Sequence, residues 1–138
     1  MNFFSLFKRK ILYRLKKKIN IDNDGVNFKK LDDLLHHYGS DKANLFSHTK
    51  DKGHGFSTYY SNKLDFLKEK NINILEIGSF AGASAAAFKK YFKKSKIYCF
   101  DINISNFKYS SKDIYVFGLN ACNKEDLDKT LEIINFQN

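Results

Sequence analysis

Ile72-Asn73-Ile74-Leu75-Glu76-Ile77-Gly78-Ser79-Phe80-Ala81-Gly82-Ala83-Ser84 is the stretch that decides the fold. Ile72–Ile77 is a short, apolar, β-branched run and reads as a strand. Gly78 and Gly82 bracket a turn, after which an Ala-rich segment from Ala83 to Lys94 reads as a helix. A second apolar run, Ile97-Tyr98-Cys99-Phe100, ends at Asp101. Strand, glycine turn, helix and strand in this order predict two parallel strands joined by a right-handed crossover. Ligands bind such sheets in the crevice at the carboxyl ends of the strands. Glycines there let backbone amides at a helix N-terminus approach a ligand closely. An acid at the end of the second strand is placed to accept hydrogen bonds from both hydroxyls of a ribose.

Outward from this unit the alternation continues. Ile114–Phe117 reads as a third strand and Glu125–Ile134 as a helix with Leu127, Leu131 and Ile134 aligned. The fold class is therefore α/β, a partial Rossmann-like parallel sheet of about three strands preceded by an N-terminal helical segment. Upstream, Ser57 or Thr58 is predicted to cap a helix running to Lys70, with Tyr60, Leu64 and Leu67 on one face and Phe66 nearby. Residues 39–56 read as a loop. Phe28–Tyr38 is a helix with Phe28, Leu31, Leu34, Leu35 and Tyr38 on one side, ended by Gly39. His36 and His37 close that helix, where charge complements the helix pole; adjacent positions point them to different faces, against a metal site. Residues 20–27 read as a polar linker, and residues 3–19 as an amphipathic helix with Phe4, Phe7, Leu12 or Ile11, Leu15 and Ile19 on its apolar side. The expected organisation is a basic helix over 1–20, a helical lid over 21–71 and a partial cofactor-binding domain over 72–138.

Composition narrows the function classes. The 138 residues are 43% hydrophobic and 28% charged, which suits one ordinary globular domain. No apolar run reaches the ~18–20 residues of a membrane-spanning helix, and no secretory signal is visible. Cys99 and Cys122 lack a CxxC spacing and read as reduced thiols, so a cytoplasmic setting is expected. The net charge of +9 is concentrated at Lys8, Arg9, Lys10, Arg14, Lys16, Lys17 and Lys18, and the remaining chain is nearly neutral. That distribution argues against a nucleic-acid partner. It leaves a weak, salt-sensitive contact between residues 1–20 and the anionic inner face of a membrane as an alternative.

The loop spacing separates two cofactor classes. A dinucleotide site needs Gly-x-Gly-x-x-Gly, but Phe80 stands at the second glycine position, where a pyrophosphate must approach. The pattern present, Glu76-x-Gly78-x-x-x-Gly82, resembles motif I of class I S-adenosylmethionine (SAM)-dependent methyltransferases, and Ile97–Asp101 resembles the strand that follows it. The resemblance implies that Glu76, Gly78, Ser79, Phe80 and Gly82 surround the methionine and ribose end of SAM. It also implies that Asp101 binds the ribose hydroxyls, Ile102 packs on adenine and Ser84 donates to the methionine carboxylate.

A narrower resemblance covers residues 28–134. Tyr38-Gly39-Ser40-Asp41-Lys42, His54-Gly55-Phe56-Ser57-Thr58-Tyr59-Tyr60, the Ile74–Gly82 motif and Tyr91-Phe92 are similar, in order and spacing, to bacterial macrocin-type sugar O-methyltransferases and their relatives in surface-glycan clusters. In that family the segment before the Rossmann unit folds over the cofactor, which makes His54 and Tyr59 pocket candidates. The stretch after the third strand tends to read Gly-Asp-Gln-x-Asp; here Gly118-Leu119-Asn120-Ala121-Cys122 keeps only Asn120 as a stand-in for the Gln near adenine. The family's metal-binding aspartates and histidine belong to a fourth strand that would begin after Asn138. The expected function is thus SAM-dependent O-methylation of a sugar, glycan or other small-molecule hydroxyl, with the catalytic C-terminal half missing. A divalent metal is implied for the complete family enzyme, but no ligands and no catalytic residue are assignable here. The competing expectations are a non-catalytic SAM-binding remnant and a membrane-surface module; the oligomeric state is left open.

Overall fold

The computed structural model describes residues 11, 13, 15–47 and 52–134. In chain order the strands are Ile19–Asn20 (β1), Ile72–Ile77 (β2), Ser95–Asp101 (β3), Tyr109–Ser110 (β4) and Ile114–Gly118 (β5). The helices are Leu31–Tyr38 (α1), Phe56–Leu64 (α2), Ala83–Tyr91 (α3) and Lys124–Ile134 (α4), with 3-10 turns at Ile21–Asn23, Asp65–Leu67 and Ile104–Asn106.

β2, β3 and β5 form a parallel sheet in that order. Ile74 pairs with Ile97 and Ile97 with Ile114; Glu76 pairs with Cys99 and Cys99 with Val116. Because side chains alternate along a strand, these residues share one face, and Leu75, Ile77, Tyr98, Phe100, Tyr115 and Phe117 share the other. α3 lies over the first face. Its Ala85, Ala86 and Ala87 are wholly buried, since α3 packs against both β3 and α1. Only side chains this small let backbone lie between two layers at such close range.

α1 turns Leu31, Leu34, Leu35 and Tyr38 inward at helical spacing, and all four are buried. It stops where the sequence predicts. Gly39 takes φ 82°, its N–H bonds to His36 O, and the Ser40 N–H bonds to Leu35 O at 2.8 Å. This glycine-dependent cap closes the helix and aims the next residues at the sheet.

Several expectations are corrected. α2 starts at Phe56 behind Gly55 (φ 69°), so the cap lies two or three residues ahead of the predicted Ser57 or Thr58, and the helix gives way to a 3-10 turn at Asp65. Ser57 is buried instead and donates to Asp32 Oδ1 at 2.6 Å. α3 ends at Tyr91 and not Lys94, because Phe92 leaves helical geometry to enter the core at 1% exposure. Residues 20–27 are no linker. Asn20 belongs to β1, which pairs in parallel with β4, and Ile21 is buried. Of the predicted N-terminal apolar stripe, Phe4, Phe7 and Leu12 lie outside the described residues. Among the others Leu15 is 79% and Ile11 43% exposed and Ile19 packs against the core, while Tyr13, outside the predicted stripe, is buried and donates its hydroxyl to Gly39 O at 2.7 Å. Lys16 reaches the Tyr109 hydroxyl. The described part of this segment therefore rests on the domain through Tyr13, which shares one hydrophobic core with Ile21, Leu34, Ala86, Ile97 and Ile114.

Candidate functional site

The turn between β2 and α3 carries positive φ at Gly78 (77°), Phe80 (48°) and Gly82 (77°). Such a run needs external anchoring, particularly at Phe80, where a side chain disfavours this geometry. β3 supplies it. The Gly78 and Ser79 N–H groups converge on Phe100 O at 2.8 and 3.3 Å, and the Phe80 N–H donates to Asp101 Oδ2 at 2.7 Å. The Phe80 ring meets the Tyr13 ring edge-on at 5.5 Å. Asp101 is thus a structural anchor as well as a surface carboxylate: its Oδ1 accepts the Asn103 N–H at 2.8 Å. Each oxygen keeps a further lone pair for a ligand donor.

The two loop glycines answer to different demands. A Cβ on Gly78 would meet nothing within 4 Å, so that backbone faces open space. A Cβ on Gly82 would overlap the Phe107 ring, so Gly82 is required by packing behind the loop.

Above the loop lies a cavity of about 280 Å³, walled by Gly78–Ala81 and Ser84 on one side and by Tyr13, Ser40, Asp41 and Lys42 on the other. The second wall is set by α1 and its neighbours. Asp32 Oδ1 accepts both the Ser57 hydroxyl and the Asn44 N–H (2.8 Å). The His54 N–H bonds to Asp41 O at 2.7 Å and the Gly53 N–H to Asn44 O at 2.8 Å. A Cβ on Gly53 would run into Ala43 O, so this clasp tolerates only glycine there.

Beneath the cavity Glu76 is 9% exposed. Its Oε1 accepts the Lys42 ammonium at 3.0 Å and the Ser84 hydroxyl, and Lys42 also stands 3.1 Å from Ser84 Oγ. Glu76 Oε2 is buried with no protein partner. Next to it on the sheet, burial, with the Glu76 charge adding, pushes the Cys99 thiol up to about 12, so Cys99 stays a neutral core residue.

Among the predicted site residues, Gly78, Ser79, Phe80 and Ser84 line the cavity, with Glu76 below and Asp101 behind. Ile102 (76% exposed) and Asn120 follow β3 and β5 at the same carboxyl edge, and Asn120 caps the Cys122 N–H. His54 sits on the outer side of Asp41, Nε2 to Oδ2 3.7 Å, stacked on Phe56, and does not line the cavity. Tyr59 is 63% exposed on α2 and does not line it either. Sequence reasoning missed Lys42 and Tyr13. Lys42 lay inside a quoted motif, but one lysine in a Lys-rich chain carries no signal of its own. Among the described residues, no three His, Cys, Asp or Glu side chains are grouped to hold a metal ion.

No protein-family model and no curated protein sequence matches the chain. Solved structures do. A MycE methyltransferase from the mycinamycin biosynthetic pathway, in complex with Mg and SAH, aligns with TM-score 0.63 and 22% identity over 78% of this chain and 30% of that one. A second structure of MycE, with Mg, SAH and mycinamycin VI, aligns with TM-score 0.61 and 21% identity over 75% of this chain and 28% of that one. The chain thus has a partial Rossmann-like methyltransferase fold, and it spans less than a third of the length of either neighbour.

Proposed function

We propose that this chain binds SAM over the Gly78–Gly82 turn, as the cofactor half of a methyltransferase acting on a hydroxyl of a sugar, glycan or other small molecule. The observation that carries the reading is the junction of Asp101 with the left-handed turn. One carboxylate pins the Phe80 amide and still presents lone pairs at the carboxyl edge, where a ribose would be recognised. The residues fit the cofactor in two further respects. Gly78 leaves open space where a ligand must come close to backbone, and the orphaned Glu76 Oε2 is a buried acceptor in want of a donor. The likeness to the MycE structures, which hold SAH, supports the same assignment.

When bound, SAM supplies an electrophilic methyl group. The chain's own contribution is to hold and orient: Asp101 toward the ribose, the Gly78–Phe80 backbone along the sulfur-bearing chain, Ser84 and Glu76 at the amino-acid end. Positioning of this kind supplies much of the rate in direct group transfer. No general base emerges from the described residues around the cavity, and they offer no metal-ligand cluster, so no deprotonation step is assigned. The alternative is a SAM-binding protein without transfer activity.

Calorimetric titration of the full chain with SAM and with NAD tests the cofactor. Binding of SAM alone is expected, and preference for NAD would overturn the reading. Transfer of labelled methyl from SAM to glycan or macrolide-sugar acceptors then separates enzyme from binding protein.

A further inference from the structure

We infer that Lys42 is the residue that recognises the carboxylate of the amino-acid end of the cofactor, with the buried Glu76 as its holding partner; the inference rests on the SAM reading above. SAM ends in a zwitterion, and its recognition needs a cation and donors for the carboxylate beside an anion for the ammonium. Among the described residues lining the cavity, Lys42 is the one cation and Asp41 the one anion, adjacent in the chain, with the His54 N–H on Asp41 O and the Ser57 N–H on Lys42 O.

Two further observations tie Lys42 to a ligand. Its ammonium donates to Ser84 Oγ (3.1 Å) as well as Glu76 Oε1 (3.0 Å), and the Ser84 hydroxyl donates in turn to Glu76, so a closed network on the buried acid fixes the ammonium at one corner of the cavity. Lys42 keeps 25% of its side chain exposed while Glu76 keeps 9%, so the cation faces the cavity and the acid lies behind it. An ammonium carries three donors, and Glu76 and Ser84 take two of them. The third is available to an arriving carboxylate. The buried carboxylate meanwhile fixes the lysine, lowering the entropy lost when the ligand is bound.

The test compares S-adenosylhomocysteine with 5′-methylthioadenosine, which keeps the adenosine and sulfur but lacks the amino-acid group. Calorimetry on the full chain is expected to show wild type preferring S-adenosylhomocysteine, and Lys42→Met losing about tenfold or more of that preference while its affinity for methylthioadenosine is unchanged. Lys42→Arg should retain most of it. Because Lys42→Met leaves Glu76 buried without its counter-ion, the same comparison is made between Glu76→Gln and the double variant Lys42→Met/Glu76→Gln, in which no charge is stranded. Equal losses for both ligands, or no loss for either, would overturn the inference and reduce Lys42 to a counter-ion of Glu76. Wild type binding methylthioadenosine and S-adenosylhomocysteine alike would overturn it too. Wild type binding neither would instead defeat the SAM reading itself, and the inference with it.

Discussion

At the residue scale, Asp101 does two things at once. It pins the Phe80 amide, and with it a left-handed residue that would otherwise relax, and it stands where a ribose is expected. Asp101→Ala removes both roles, and is predicted to weaken SAM binding by ~1–3 kcal/mol. Asp101→Asn retains an oxygen for the Phe80 N–H while giving up the charge and one acceptor. Asn should therefore melt close to wild type yet still bind SAM more weakly, as read by calorimetry beside a thermal melt. If Asn binds SAM as wild type does, Asp101 serves the fold alone. The sequence made Asp101 and Gly78 legible because an acid and a glycine at strand ends are scarce signals with few competing meanings. It made Gly82 legible as a glycine for a different reason than the one at work, since the ring of Phe107, distant in sequence, sets that constraint. Lys42 was hidden because its partner, Glu76, is 34 residues away and lysine is common throughout this chain.

At the scale of elements, the long periodic pieces were readable and the short ones were not. β2, β3, β5 and α4 come within one or two residues of their predicted spans, because each has enough apolar residues at one period, while α1 begins at Leu31, three residues after the predicted Phe28, which is 47% exposed. β1 and β4 are two residues each and exist only because they meet, so no local pattern announces them. Polar bonds tie the two ends of that pair together, while Ile21 and Tyr109 sink into the core. Asp22, in the turn after β1, accepts the Lys112 N–H at 2.9 Å and the Ser111 hydroxyl at 2.7 Å. The Lys112 amide foremost, with Ser111 assisting and burial opposing, holds the Asp22 carboxyl below its ordinary 3.8. A depressed carboxylate releases its proton more readily in the folded chain, so its stabilisation is complete above that ordinary value and fades as pH falls through the folded one. For an exposed group the contribution is under about 1 kcal/mol after solvent screening. Asp22→Asn should accordingly be slightly less stable than wild type at neutral pH, and the difference should shrink below pH 4 (roughly the unfolded carboxylate range). Urea midpoints across that range decide it; a gap that widens in acid would contradict the assignment.

At the scale of the whole molecule, the three-stranded sheet ends, among the described residues, in β2 on one side and β5 on the other. β3 is central, with Ile97, Cys99 and Phe100 at zero exposure. β2 is an edge among the described residues, and its outward side chains Leu75 and Ile77 are 39% and 61% exposed. Between β2 and α2 runs a groove of about 480 Å³ lined by Tyr60, Leu64, Leu67, Ile74 and Phe88. Parallel strands are ordinarily covered on both faces, and an apolar edge with free backbone groups is a template for pairing with another chain. Composition alone could not show this, because the same isoleucines and leucines read as core until a sheet order says which strand lies outside. The 138-residue chain on its own is predicted to self-associate as concentration rises and to enhance the fluorescence of a hydrophobic dye. Ile77→Lys and Leu75→Lys should reduce both effects. Neither leaves a cavity, because both side chains project outward, so the melting temperature should hold within a few degrees (surface substitutions change stability by about 0.5 kcal/mol). Light scattering and dye titration on the three proteins make the comparison. If wild type stays monomeric and dye-silent at the highest attainable concentration, the β2 edge is already protected, and the exposed apolar row is not the surface on which this fold depends for a partner.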